Sequence, residues 1–150
     1  MAGVDKTLRQ RALEYLAKRE YSYAELGQKL KAYAEETDDI SALLDEFKQR
    51  GWVSDARFTE QIVHARKAKF GSLRVANELR EKGVADHLIA DAVAQVKSNE
   101  FEHARDVWQK KYKVAPANRE DWAKQARFLQ SRGFGFDIIK RVLNSTDETI

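Results

Sequence analysis

A hairpin-like pattern recurs along this chain at an interval of fifty residues. Leu79-x-x-Lys82-Gly83-Val84, followed by Leu88, Ile89, Ala92 and Val93, returns as Leu129-x-x-Arg132-Gly133-Phe134, followed by Ile138, Ile139, Val142 and Leu143. Working backwards at an offset of forty-nine, Ser22, Leu26, Leu30, Ile40 and Leu44 fall on Gly71, Val75, Leu79, Ile89 and Val93. The chain reads as three copies of one helical unit. Repeats of this period bury each unit's apolar face against its neighbours and leave a long outer face free for binding.

Composition agrees with helices. One proline and seven glycines in 150 residues leave few turn formers, which disfavours a turn-rich β architecture. The chain is 43% hydrophobic, enough for a core, and its 34% charged residues require broad solvated faces. With no cysteine there is no disulfide scaffold, thiolate metal site or thiol nucleophile. The opening MAGVDKTLRQ holds no apolar run suited to a signal peptide, and no stretch approaches the roughly twenty apolar residues of a membrane span. The expectation is a cytoplasmic protein that does not engage membranes.

The apolar spacing predicts nine helices. Leu8, Ala12, Tyr15 and Leu16 mark the first, and Ser22 with Glu25 forms a capping-box pattern opening a second that carries Leu26, Leu30 and Tyr33. A third begins near Thr37 or Asp38 and stops before Gly51, and Ser54-Asp55 caps a fourth with Phe58, Ile62 and Ala65. Gly71-Ser72 precedes a fifth that ends at Lys82-Gly83, where glycine takes the left-handed conformation. The sixth holds Leu88 through Val96, and Asn99 opens a seventh with Ala104 and Trp108. After the loop KVAPAN comes an eighth ending at Arg132-Gly133, then a ninth from about Phe136 through Leu143. The fold expected is all-α, three tandem three-helix repeats in an elongated, curved array. Its units span 7–50, 51–97 and 98–144, with frayed tails at 1–6 and 145–150.

Four pieces of sequence in order carry a family resemblance. They are Ser22-x-x-Glu25-Leu26-x-x-Lys29-Leu30, Gly51-Trp52-Val53-Ser54-Asp55-Ala56-Arg57-Phe58, Lys69-x-Gly71-x-x-x-Val75-x-x-Glu78-Leu79-x-x-Lys82-Gly83-Val84 and Phe128-Leu129-x-x-Arg132-Gly133-Phe134. Together they resemble the bacterial RecX family of regulatory proteins, over residues 10 to 144. The resemblance implies a curved body lying in the groove of the RecA filament on single-stranded DNA. It also implies inhibition of RecA's ATP hydrolysis, strand exchange and co-protease activity toward the SOS repressor. Two features depart from the family pattern. Ser54 and Ala56 stand where the family tends to be acidic, and Ala34-Glu35 occupies the first unit's equivalent of Gly83-Val84.

Charge is uneven along the chain. Net charge is only +3, and residues 1–50 carry nine basic and ten acidic side chains, whereas Arg66 to Lys82 carries six basic and two acidic. The leading candidate surface is therefore Arg57, Arg66, Lys67, Lys69, Arg74, Arg80 and Lys82, suited to phosphates or to an acidic protein surface. Arg105, Lys110 and Lys111, beside Lys113, form a second cluster. The alternative for both is plain solvation of helix faces. Trp52, Phe58, Trp108, Trp122 and Phe134 could stack on unpaired bases, yet their positions on apolar stripes or after helix-ending glycines favour core packing.

His64, His87 and His103 have no metal-ligand spacing, and Gly133-Phe-Gly135 follows a helix and lacks the phosphate-loop patterns. No cofactor, metal or catalytic constellation is expected, and the protein reads as a monomeric binder rather than an enzyme. Its expected partners are the RecA filament and single-stranded DNA, met directly or through RecA. A sequence-nonspecific DNA-binding protein and a protein-interaction scaffold without nucleic acid are the rival readings.

Overall fold

Ser, Thr, Asp and Asn side chains start five of the helices, because each offers an oxygen to an otherwise unpaired backbone N–H. Thr7, Ser22, Asp39, Ser54 and Asn118 each accept from the backbone N–H three residues on. A computed structural model describes the backbone of residues 6–145 and the side chains of residues 6–144. Within it lie α1 (Leu8–Lys18), α2 (Tyr23–Lys31), α3 (Ile40–Gln49), α4 (Asp55–Arg66), α5 (Ser72–Glu81), α6 (Asp86–Lys97), α7 (Glu100–Lys111), α8 (Arg119–Ser131) and α9 (Phe136–Ser145), and no strand. The expected tails lie outside the described residues, save residues 6 and 145.

Several local expectations need correction. The complete capping box is at Thr7 and Gln10, where the Thr7 N–H donates to Gln10 Oε1 at 2.8 Å. At Ser22 only half of it forms, because the Glu25 carboxylate is drawn away by Arg19 and Lys82. Tyr33 lies past the end of α2, 46% exposed, with the Arg11 guanidinium 3.8 Å over its ring. The α3 cap is Asp39, a residue or two later than expected, and Asn99 precedes α7 without capping it.

Three glycines close helices as the sequence requires. Gly51, Gly83 and Gly133 have φ of 77°, 75° and 89°. The next residue then returns its N–H to a carbonyl inside the helix: Trp52 to Phe47 at 2.8 Å, Val84 to Leu79 at 3.1 Å and Phe134 to Leu129 at 3.2 Å.

Each set of three helices buries its own core. Leu8, Ala12, Tyr21, Leu26, Leu30, Leu44, Phe47 and Val53 form the first cluster. Phe58, Val63, Val75, Leu79, Ile89 and Val96 anchor the second, and Ala104, Trp108, Leu129, Phe134, Ile139, Val142 and Leu143 form the third. At about 1.5–3 kcal/mol per large buried apolar side chain, each unit is held mainly by its own apolar interior.

The units join head to tail through their middle helices. At the second junction the N–H groups of Gly71 and Leu73, at the start of α5, donate to the carbonyls of Arg132 and Gly133 beyond α8, at 2.8 and 3.1 Å. Ser72 completes the helix start, donating through its N–H to the buried Glu100 carboxylate at 2.8 Å. At the first junction the Ser22 hydroxyl donates to the Lys82 carbonyl at 2.7 Å, and the Tyr23 N–H donates to Asp55 Oδ1 at 2.7 Å. The carbonyls at the end of one unit's middle helix thus meet donors at the start of the preceding unit's middle helix, opposite dipole ends together. Asp55 and Glu100, each the first residue of the following unit's leading helix, play equivalent parts.

Candidate functional site

Charges that pair internally have little left to offer a ligand, so the basic clusters divide by their partners. Arg66 makes a two-pronged bond to Glu78 at 3.0 and 3.2 Å, which raises its pKa further. Lys82 reaches across the first junction to Glu25 at 3.1 Å, and Arg19 holds the same carboxylate at 2.7 Å. Arg57 pairs with Glu20 at 2.9 Å and donates to the Gly51 carbonyl. Three of the seven middle-unit cations are therefore neutralised or committed to joining units. Lys67, Lys69, Arg74 and Arg80 are exposed and form no ion pair among the described residues.

Arg74 leads to a feature that sequence reasoning missed. Its guanidinium lies 4.0 Å over the Phe70 ring, and Arg132 lies 5.6 Å from the same ring and 5.2 Å from Phe128. Lys111 continues the series, its ammonium 5.6 Å over Phe128. Arg74, Phe70, Arg132, Phe128 and Lys111 form one ladder across the second junction. Aromatic faces position the cations without neutralising them, leaving most of their N–H donors free. One Arg74 donor goes to the Ser131 carbonyl at 3.2 Å. Arg132 stands fifty residues after Lys82, so the repeat itself pointed to it; Lys82 has Glu25, whereas Arg132 has no carboxylate partner among the described residues.

The second sequence cluster is split. Lys111 belongs to the ladder, Arg105 lies 5.6 Å over Phe101, and Lys110 is exposed beside Asp106, Gln109 and Lys113.

The aromatics also divide. Phe58, Trp108 and Phe134 are core residues, and the Trp108 Nε1–H donates to Gln125 Oε1 at 2.6 Å. Trp122 is half-buried, edge-on to Phe136 with ring centroids 6.3 Å apart. Trp52 departs from the expected core role: it packs edge-on against Phe47, yet 40% of it is exposed. The histidines lie on α4, α6 and α7, and no group of three or more potential metal ligands occurs among the described residues. No described helix is long and apolar enough to cross a membrane.

The fold and surface define a helical repeat protein, three stacked three-helix units with a cationic strip held on aromatic faces at one junction. Comparisons with known proteins agree. The family model for the third three-helix domain of RecX matches residues 98–143, and that for the second matches residues 54–93. Regulatory protein RecX of Leptothrix cholodnii is 40% identical over 141 residues, covering 94% of this chain and 90% of that protein. The protein of the same name from Herbaspirillum seropedicae is 42% identical over 139 residues, 93% of this chain and 90% of that one. A crystal structure of RecX from Lactobacillus salivarius shares the fold, with a TM-score of 0.79 at 21% identity, covering 94% of this chain and 95% of that one. This chain belongs to the RecX family of regulatory proteins. Its relatives are named as regulators, not as enzymes.

Proposed function

We propose that this protein binds the filament RecA forms on single-stranded DNA and inhibits its ATP hydrolysis, strand exchange and co-protease activity. It does so in the cytoplasm, as a monomer, without a cofactor and without chemistry of its own. Family membership supports the regulatory role. The observation that carries the binding surface is the ladder at the second junction, where Arg74, Arg132 and Lys111 are fixed by Phe70 and Phe128 with no carboxylate partner among the described residues. Such cations suit the phosphates of a nucleoprotein filament or acidic groups on RecA itself. Lys67, Lys69 and Arg80 add exposed charge from the middle unit.

An elongated array of repeats can touch a filament at several points. Each contact then forms at high effective concentration, so individually weak polar contacts sum to firm attachment. The test is RecA ATP hydrolysis on single-stranded DNA with this protein added below RecA's concentration. Hydrolysis should fall at substoichiometric ratios. Unchanged hydrolysis, combined with affinity for bare DNA equal to that for the filament, favours the reading as a sequence-nonspecific DNA-binding protein instead.

A further inference from the structure

Trp52 is the residue the fold explains only in part. It follows Gly51, and its N–H and its ring contact with Phe47 are what the end of α3 demands. The residues in the same place after α5 and α8, Val84 and Phe134, are 6% and 1% exposed. Trp52 is 40% exposed, so the motif alone does not require an open indole. A single half-open aromatic is ordinary by itself; what sets Trp52 apart is the pair of positioned arginines beside it.

Two arginines flank the ring. The Arg50 guanidinium lies 5.0 Å and that of Arg9 5.8 Å from its centroid. Both also bond one carboxylate, Glu46, each at 2.8 Å. Their hydrogen bonds to Glu46 hold its pKa below the ordinary carboxylate value, so it stays ionised and the group carries one net positive charge at neutral pH. Glu46 takes one donor from each guanidinium, leaving the others free. A half-open indole with two positioned guanidiniums near it matches one nucleotide of a single strand: a base for the open part of the ring, a phosphate for the arginines. A duplex hides its base faces and fits poorly.

We infer that Trp52, Arg9 and Arg50 form a nucleotide-binding site for single-stranded nucleic acid on the first unit, separate from the ladder at the second junction. The site needs no RecA, so its test stands apart from that of the proposed function. The probe is a single-stranded oligothymidylate at low salt, with binding followed by tryptophan fluorescence and by anisotropy of an end-labelled copy. Trp108 is buried and hydrogen-bonded, which shields it from contact with the strand.

Saturating oligothymidylate should quench the emission, and Trp52→Phe, which keeps a ring on Phe47, should remove the quenching. Trp52→Ala should weaken binding about ten-fold, within the usual range for losing one base-stacking aromatic. A duplex of the same length should leave the emission unchanged. In Arg132→Ala, overall affinity should drop while saturating quenching stays. Quenching that persists in Trp52→Phe, equal quenching by duplex, or binding without any change in wild-type emission would overturn the site.

Discussion

Gly71 and Gly133 meet backbone to backbone: a Cβ built on Gly71 would lie 2.4 Å from the Gly133 carbonyl oxygen. A Cβ on Gly133 would in turn lie 2.3 Å from the Arg74 Cβ. This contact sets the distance between the second and third units and places Arg74 beside Arg132. Gly51 has a similar left-handed backbone, φ 77°, but open space around it. Gly51→Ala should therefore cost about 1 kcal/mol from backbone conformation alone. Gly133→Ala adds a steric clash of about 1–3 kcal/mol. Chemical denaturation should rank Gly133→Ala well below Gly51→Ala in stability, whereas equal losses would mean the junction yields without cost.

Acid should loosen the first junction. Burial is the largest single influence on Glu25 and opposes its ionisation, but the hydrogen bonds and charges of Arg19 and Lys82 together outweigh it and lower its pKa. A carboxyl whose folded pKa lies below its unfolded value contributes stability above the unfolded value and loses it as pH falls through the folded one. Wild-type stability should thus decline as pH drops below the ordinary glutamate value of 4.5. Glu25→Gln should be less stable at neutral pH and show a flatter decline. Denaturation midpoints across this range check it; parallel curves for the two proteins would assign the acid dependence elsewhere.

The tryptophans should separate by stability. Trp108 is 5% exposed and Trp52 40%, so Trp108→Ala should lose about 3–5 kcal/mol and Trp52→Ala much less. Gln125→Ala leaves the buried Trp108 N–H without its acceptor and should cost about 1–3 kcal/mol. Thermal melts monitored by circular dichroism measure all three.

Phosphate contact should appear as salt dependence. If Arg74, Arg132 and Lys111 each touch one phosphate, replacing all three by alanine should flatten log K against log salt by roughly 2 units, at about 0.7 per single-strand phosphate. An unchanged slope for bare single-stranded DNA together with weaker filament binding would assign the same cations to acidic groups on RecA.

The helices were legible because periodicity, caps and terminal glycines are local signals. Gly83 and Gly133 ended their helices as the sequence foretold, and the repeat at fifty residues pointed to an all-helical repeat fold. Both glycines have a residue of the preceding unit, Ala24 or Arg74, against the place where a Cβ would stand, which adds a steric reason to the conformational one. Partner choice was not legible. Arg66 and Arg132 look alike in sequence, and only the fold brings Glu78 to one and Phe70 to the other. Trp52 likewise carries a staple's sequence position, and its exposure depends on how the first unit packs.

Inhibition of RecA tests the ladder most directly. The measurement is RecA ATP hydrolysis on single-stranded DNA, titrated with wild-type protein and with the double variant Arg132→Glu and Lys111→Glu, after circular dichroism has established that both fold. Wild type should suppress hydrolysis below stoichiometric amounts, and the variant should leave it near the uninhibited rate. A folded variant that inhibits as strongly as wild type would contradict the assignment of the second junction as the filament-binding surface.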